Sequence, residues 1–260
     1  MPSSEPLLRL ARSAQQVVTL TLNRPAAFNA LSQALMQALQ EALDALLQDR
    51  QVRVVVLAAS GRAFCAGHDL REMRAQPAQD YYEALFAQCS RLMLSLQQLP
   101  VPVIAQVQGI ATAAGCQLVA MCDLAVASSE ARFAVSGVNL GLFCSTPSVA
   151  LSRNVSRKAA FEMLVTGDFI SAQQALAQGL VNRVVAPEAL EAEVQRLCDA
   201  IVAKAPVAIA MGKRLFYRQL ELGMEAAYAD AAHTMACNMM DANALEGVQA
   251  FLDKRPFKLS

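Results

Sequence analysis

Two short glycine-bearing stretches hold the residue types that could do chemistry in this chain. One is GRAFCAGHDLREM, from Gly61 to Met73, and the other is GIATAAGCQ, from Gly109 to Gln117. In the second, small residues run from Gly109 to Gly115 and give way to Leu118, Val119 and Met121, so a turn feeds a helix start. A helix start offers unpaired backbone N–H groups and the positive end of the helix dipole, which suits a developing oxyanion. The plainer reading is a βα turn packed by small residues, and on local signal alone it has the stronger claim because glycine-rich turns are common.

Titratable side chains near these turns are few. His68 is the one ring there whose ordinary pKa lies close to neutrality. Asp69 is followed three residues later by Glu72, a spacing that reads first as a capping box opening a helix at Leu70. The run Cys144, Ser145 and Thr146 has nucleophilic atoms but no identifiable base, and reads as a structural turn. Cys116 and Cys122 flank Gln117 as small core residues, and His233, near Met235 and Met239, reads as helix packing.

The elements that must position these residues follow from hydrophobic spacing. Strands are expected at Val17 to Leu22, Val52 to Ala58, Val101 to Val107, Leu124 to Ala127 and Arg132 to Val135. The continuously apolar run in the second of these implies a sheet covered on both faces, hence α/β layering. Ser32 is placed to cap a helix to Gln48 with Leu35, Met36, Leu39, Leu43, Leu46 and Leu47 on one face. A helix over Asp80 to Gln98 carries the stripe Tyr81, Leu85, Cys89, Leu92, Leu96 and Leu99. Residues 138–148 read as irregular. From Ser156 the chain turns mainly helical, with helices at Arg157 to Val165, Ser171 to Gln178 and Pro187 to Lys204, a strand at Val181 to Val185, and three last helices at Pro206 to Leu220, Met224 to Asn238 and Asn243 to Lys254. The division expected is an α/β core over residues 1–200 and a helical region over 201–260.

Composition narrows the function classes. The 260 residues are 55% hydrophobic and 17% charged, enough for a large core. Basic and acidic residues balance at 22 each, so nothing draws in nucleic acid. Seven cysteines, an odd number with no CxxC pair, read as reduced thiols in a cytosol-like, cytoplasmic setting. With two histidines a His-rich metal site is impossible, and no metal is expected. The start, MPSSEPLLRLARSAQQ, shows no export or organelle signal. The uncharged stretch between Arg91 and Asp123 is long enough to cross a bilayer, but its glutamines, prolines and glycines make it a buried strand between helices, so no membrane span is expected.

Taken together and in order, LNRPAAFNAL, AFCAGHD, GIATAAGCQ, ISAQQALAQGLVNRVV and EGVQAFLDKRP resemble the enoyl-CoA hydratase/isomerase, or crotonase, family from about Val17 to Pro256. That resemblance implies a crotonase-like spiral of ββα units with a helical C-terminal region, assembly as a homotrimer or a hexamer of two trimers, and acyl-CoA or enoyl-CoA thioester partners. Coenzyme A would enter as part of the substrate, with no separate cofactor. It further implies an oxyanion hole made by the backbone N–H groups of His68 and Ala114. Ala26, Phe28 and Ala66 would meet the CoA moiety, with Asp69, Leu70 and Ser145 counted among the substrate-binding positions. Phe251 and Lys254 would meet the nucleotide end, possibly a neighbouring subunit's, and Arg24 and Lys213 are further candidates for its phosphates.

The chain departs from the family at two positions. Where family hydratases carry their two glutamates, the resemblance sets Gln117 and Gly137. Neither exchanges a proton near neutrality, and each general acid–base role is worth on the order of 10²–10⁴-fold in rate. Thioester binding and enolate stabilisation are therefore expected to outlast hydration, and restoring both glutamates is expected to raise crotonyl-CoA hydration. The resemblance leaves two readings: an enzyme of this lyase/isomerase class with an unassigned reaction, or an acyl-CoA binding protein without turnover.

Overall fold

A computed structural model describes residues 5–258. Ten strands run in chain order as β1 (Leu8–Arg12), β2 (Val17–Leu22), β3 (Val54–Ala59), β4 (Ala63–Cys65), β5 (Val103–Val107), β6 (Ile110–Thr112), β7 (Leu124–Ser128), β8 (Arg132–Ala134), β9 (Ile170–Ser171) and β10 (Arg183–Val185). They form a six-stranded sheet in the order β1-β2-β3-β5-β7-β10 and a four-stranded sheet in the order β4-β6-β8-β9. Only β1 with β2 and β8 with β9 pair antiparallel. Each of β3-β4, β5-β6 and β7-β8 thus sends one strand to the large sheet and the next to the small one before a helix returns the chain. That repeat is the ββα spiral expected for the family.

The helices are α1 (Gln33–Gln48), α2 (Leu70–Ala75), α3 (Gln79–Gln98), α4 (Ala114–Met121), α5 (Ser145–Asn154), α6 (Arg157–Thr166), α7 (Ala172–Gln178), α8 (Leu190–Val202), α9 (Pro206–Gln219), α10 (Met224–Met239) and α11 (Ala242–Leu252). Strand alternation divides the core in two. Val55 and Leu57 of β3 face a large cluster with Leu35 and Leu39 of α1 and Leu85 and Leu92 of α3. Val54 and Val56 of the same strand face a second cluster with Leu190, Val194 and Cys198 of α8. The unbroken apolar run of β3 is the consequence of burial on both faces.

Ser32 caps α1, its Oγ accepting from Leu35 N–H, while Leu47 lies exposed outside the expected apolar face. Two stretches read as turns contain strands: β4 inside AFCAGHD and β6 inside GIATAAGCQ. Three residues are too short to show a periodicity, and these strands exist because they pair with each other in parallel. Likewise 138–148 is not wholly irregular, since α5 begins at Ser145. The helical tail α9–α11 is thinly buried; its buried residues are Lys213, Ala227, Asn243 and Ala250. No helix among the described residues is long and apolar enough to cross a membrane.

Candidate active site

The small sheet brings the two glycine-bearing turns into contact. Strand β4 leads into Ala66, Gly67 and His68, and its neighbour β6 leads into Ala113 and α4. A side chain has no room where they meet. A Cβ on Gly115 would lie 2.1 Å from the carbonyl oxygen of Cys65, and one on Gly67 would lie 2.9 Å from Ala113 Cβ and 3.4 Å from Ala114 N. Gly67 also takes φ +93°, open to glycine and strained for other residues. The first turn is held from its other side: Leu31 N–H donates to Gly67 C=O (2.7 Å), Asp69 N–H to Leu31 C=O (3.2 Å) and Ala66 N–H to Phe28 C=O (3.0 Å).

Neither His68 N–H nor Ala114 N–H donates to an acceptor among the described residues. Ala114 is the first residue of α4, where such donors are orphaned by helix geometry. Ala113 before it sits at φ 51°, ψ −122°, an uncommon conformation for alanine, and its N–H is fixed on Ala134 C=O at 2.9 Å. Two such donors on segments in van der Waals contact, one at the positive end of a helix, are of the kind that can hold an oxyanion.

The side chains are arranged for little proton transfer. The His68 ring stacks edge-on to Phe86, with centroids 5.4 Å apart, and both ring nitrogens are buried without a hydrogen-bond partner among the described residues. Burial lowers its pKa to about 4, against a weaker opposing pull from the Leu31 carbonyl, so the imidazole is neutral at physiological pH. Gln117 is buried, and its Oε1 likewise has no partner among the described residues. Gly137 lies in a 3₁₀ turn, Ser136–Leu140, tied to the end of β6 by the 2.9 Å contact of Thr112 Oγ1 with Ser136 Oγ. A Cβ on Gly137 would stand 2.5 Å from Leu142 O and 2.7 Å from Cys144 Sγ. The loop has closed over this position, so the expected gain from a glutamate there requires the loop to move. Burial pushes the Cys144 thiol up, partly offset by the Gly137 N–H, so it is protonated.

Beside the first turn, Phe28, Arg62, Ala63, Ala66 and Ile110 line a cavity of about 430 Å³, with the Arg62 guanidinium 4.7 Å from the Phe28 ring centroid. Phe28 and Asn29 take consecutive left-handed conformations. Buried Asn29 makes that possible: its amide nitrogen donates to Ser60 and Ala63 carbonyls (both 2.8 Å), and its Oδ1 accepts from Arg24 N–H (2.8 Å). Sequence reading missed Arg62 and Asn29. Arg62 was masked by the commonness of surface arginine, but Asn followed by a small residue in a turn is a signal that could have found Asn29.

Other expected positions fall elsewhere. Ala26 and Leu70 are exposed and are not among the cavity's lining residues, and Ser145 is exposed at the start of α5, its hydroxyl on Phe143 C=O at 3.3 Å. Asp69 caps α2 through Arg71 and Glu72 N–H and pairs with Arg24 at 2.9 Å; burial opposes its ionisation, but these partners outweigh it and hold the carboxyl below its usual range. It is therefore occupied structurally, and the capping box is half formed, since Glu72 turns to accept from Gln33 N–H. Arg24 is spent on Asp69 and on Ala30 C=O. Lys213 is not a phosphate contact: it is buried and paired with Asp123 at 2.7 Å. Phe251 and Lys254 lie in and after α11, exposed, and supply no wall of the cavity in this chain. His233 is not packed but exposed, 3.6 Å from Cys237 Sγ.

The family model for enoyl-CoA hydratase/isomerase matches residues 12–260. The chain belongs to the enoyl-CoA hydratase/isomerase family. Among its relatives, the mitochondrial enoyl-CoA hydratase domain-containing protein 3 of Rattus norvegicus is 43% identical over 254 residues, 98% of this chain and 85% of that protein. A crystal structure of an enoyl-CoA hydratase from Mycobacterium smegmatis superposes with a TM-score of 0.97 at 68% identity, covering 98% of this chain and 99% of the other. The human domain-containing protein 3 superposes with a TM-score of 0.93 at 41% identity, covering 97% and 100%.

Proposed function

We propose that this chain binds acyl-CoA thioesters and polarises the thioester carbonyl between the N–H groups of His68 and Ala114. The observation that carries the reading is the pair of undonated backbone N–H groups on two touching segments, one of them a helix start. Each donor of this kind is worth on the order of 10²–10³-fold in stabilising an enolate or tetrahedral oxyanion. The cavity at Phe28, Arg62 and Ala66 takes the CoA moiety, Arg62 supplying positive charge and a planar face for an anionic nucleotide.

Hydration by paired carboxylates is not the reaction. Gln117 has no group that titrates near neutrality, Gly137 has no side chain, and the His68 imidazole is turned into apolar surroundings. The chemistry that remains is enolate stabilisation on a thioester whose proton transfers are supplied by substrate or water. The same absences favour a second reading, an acyl-CoA binding protein without turnover. Exposed Met224, Tyr228 and Met235 on α10, Met240 just after it and Phe251 on α11 support assembly of the chain into a homotrimer or a pair of trimers. The unpaired thiols support a reducing compartment.

The test is calorimetric titration with butyryl- and crotonyl-CoA, with the infrared band of a ¹³C-labelled thioester carbonyl read in the complex. The expected result is saturable binding, a carbonyl band moved to lower frequency, and weaker binding of CoA esters, but not of pantetheine esters, in Arg62→Ala. No binding, or an unmoved band, rejects the proposal. Binding without conversion of any ester in a broad panel selects the second reading.

A further inference from the structure

A buried ion pair with every polar hydrogen of its lysine satisfied lies away from the candidate site. Asp123 falls between the end of α4 and the start of β7. Its Oδ2 accepts from Val103 N–H at the start of β5 (2.6 Å) and from Lys213 Nζ of α9 (2.7 Å), and its Oδ1 accepts from Tyr217 O–H (2.7 Å). Lys213 Nζ also donates to Leu96 C=O in the last turn of α3 (3.0 Å) and to Val101 C=O (2.9 Å). All three ammonium hydrogens thus have acceptors. The side chains of Lys213 and Asp123 are 6% and 13% exposed. Burial pulls the lysine pKa down and Asp123 pulls it back, so the charge is retained by its partner.

These groups join the helical tail to the start of β5 and to the residue between α4 and β7. Helix α4 has eight residues, about 12 Å of rise, and all but its last are buried. Its N-terminal end has no side-chain cap and begins after Ala113, which takes a positive φ of 51°. A strained residue of this kind persists only where its surroundings over-determine it. At the other end of α4, Asp123 is held by three donors from two other elements. We propose that Lys213, Tyr217 and Asp123 are positioning residues, a latch that fixes the far end of α4 and thereby holds Ala114 N–H against the Gly67–His68 turn.

Hydrogen exchange on the full chain tests this without any ligand, using Lys213→Met, which keeps length and removes the ammonium, and Tyr217→Phe, which removes one hydrogen bond to Asp123. The expected result is roughly tenfold faster exchange across residues 114–121 in Lys213→Met and a smaller acceleration in Tyr217→Phe, with β2 and β3 unchanged. Loosening confined to α9, or the same acceleration everywhere, overturns the proposal. If Lys213→Met does not fold, Tyr217→Phe decides alone by the same criterion. A second arm rests on the thioester reading above: the carbonyl band of bound butyryl-CoA should return toward its free position in the variants. A wild-type band that never moves rejects the thioester reading, while the exchange result still judges the latch.

Discussion

Replacing Gly115 by alanine sets two effects of opposite sign against each other. Gly115 is in α4, and glycine in a helix interior costs about 1 kcal/mol relative to alanine, so propensity alone predicts stabilisation. The new methyl, however, would stand 2.1 Å from Cys65 O, 2.7 Å from Cys65 C and 2.8 Å from Cys65 Cβ. Overpacking costs about 1–3 kcal/mol and sometimes more, and two of these three atoms are backbone, which cannot rotate away. With the cost at the upper end of that range, as a 2.1 Å approach to a backbone oxygen implies, the clash wins by about 2 kcal/mol, a fall of roughly 4–8 °C in Tm for a chain near this size. Relief requires α4 to move off β4, so butyryl-CoA affinity should fall with stability. Gly212→Ala is the control: it lies in α9 with nothing within 4 Å of its new methyl, and should gain up to about 1 kcal/mol. Thermal and urea unfolding of both variants measure the balance. A Gly115→Ala protein that melts at or above wild type would falsify the close approach on which the oxyanion site is built.

Acid should destabilise the fold through His68. Its folded pKa is about 4 and its ordinary value 6.5, so only the unfolded chain takes up the proton between them; stability is flat above pH 6.5 and falls by on the order of 3 kcal/mol on the way to pH 4. Urea titrations at several pH values should show His68→Gln losing less over that window than wild type. Gly137→Glu should lower stability by about 1–3 kcal/mol, and its double variant with Gln117→Glu should not hydrate crotonyl-CoA, because Leu142 O, the nearer obstacle, is backbone; hydration by the double variant would mean that the loop yields. Of the seven thiols only Cys237 is exposed, so a disulfide reagent should titrate one cysteine quickly and the rest on unfolding.

The large sheet and its covering helices were legible because β3, α1 and α3 are long enough to display their periods. Strands β4 and β6 were not, since three residues such as Ala63, Phe64 and Cys65 show no alternation and exist through pairing with a distant partner. The same limit hid the meaning of Gly137. Its sequence shows only that a side chain is missing, whereas the closure of Leu142 and Cys144 over it is a tertiary fact. Lys213 misled for a related reason: lysine is seldom buried unless paired, and Asp123 lies ninety residues away.

The two halves of the site depend on different parts of the chain, and this explains how one can persist without the other. The proposed oxyanion site is main chain. It needs small residues at Gly67 and Gly115 so that two segments can touch, a strained Ala113, and a helix start, all of which are also conditions for the fold to close. A sequence that keeps folding therefore keeps the donors. Proton transfer needs particular side-chain atoms at two places, and the core does not require them: a buried glutamine fills the volume of a glutamate, and Cys144 covers the space over Gly137. Side-chain chemistry can be exchanged at little cost in packing, whereas the backbone donors cannot be lost without breaking the small sheet. On the proposed reading, this separation lets backbone donors stand beside flanks that carry no titratable side chain.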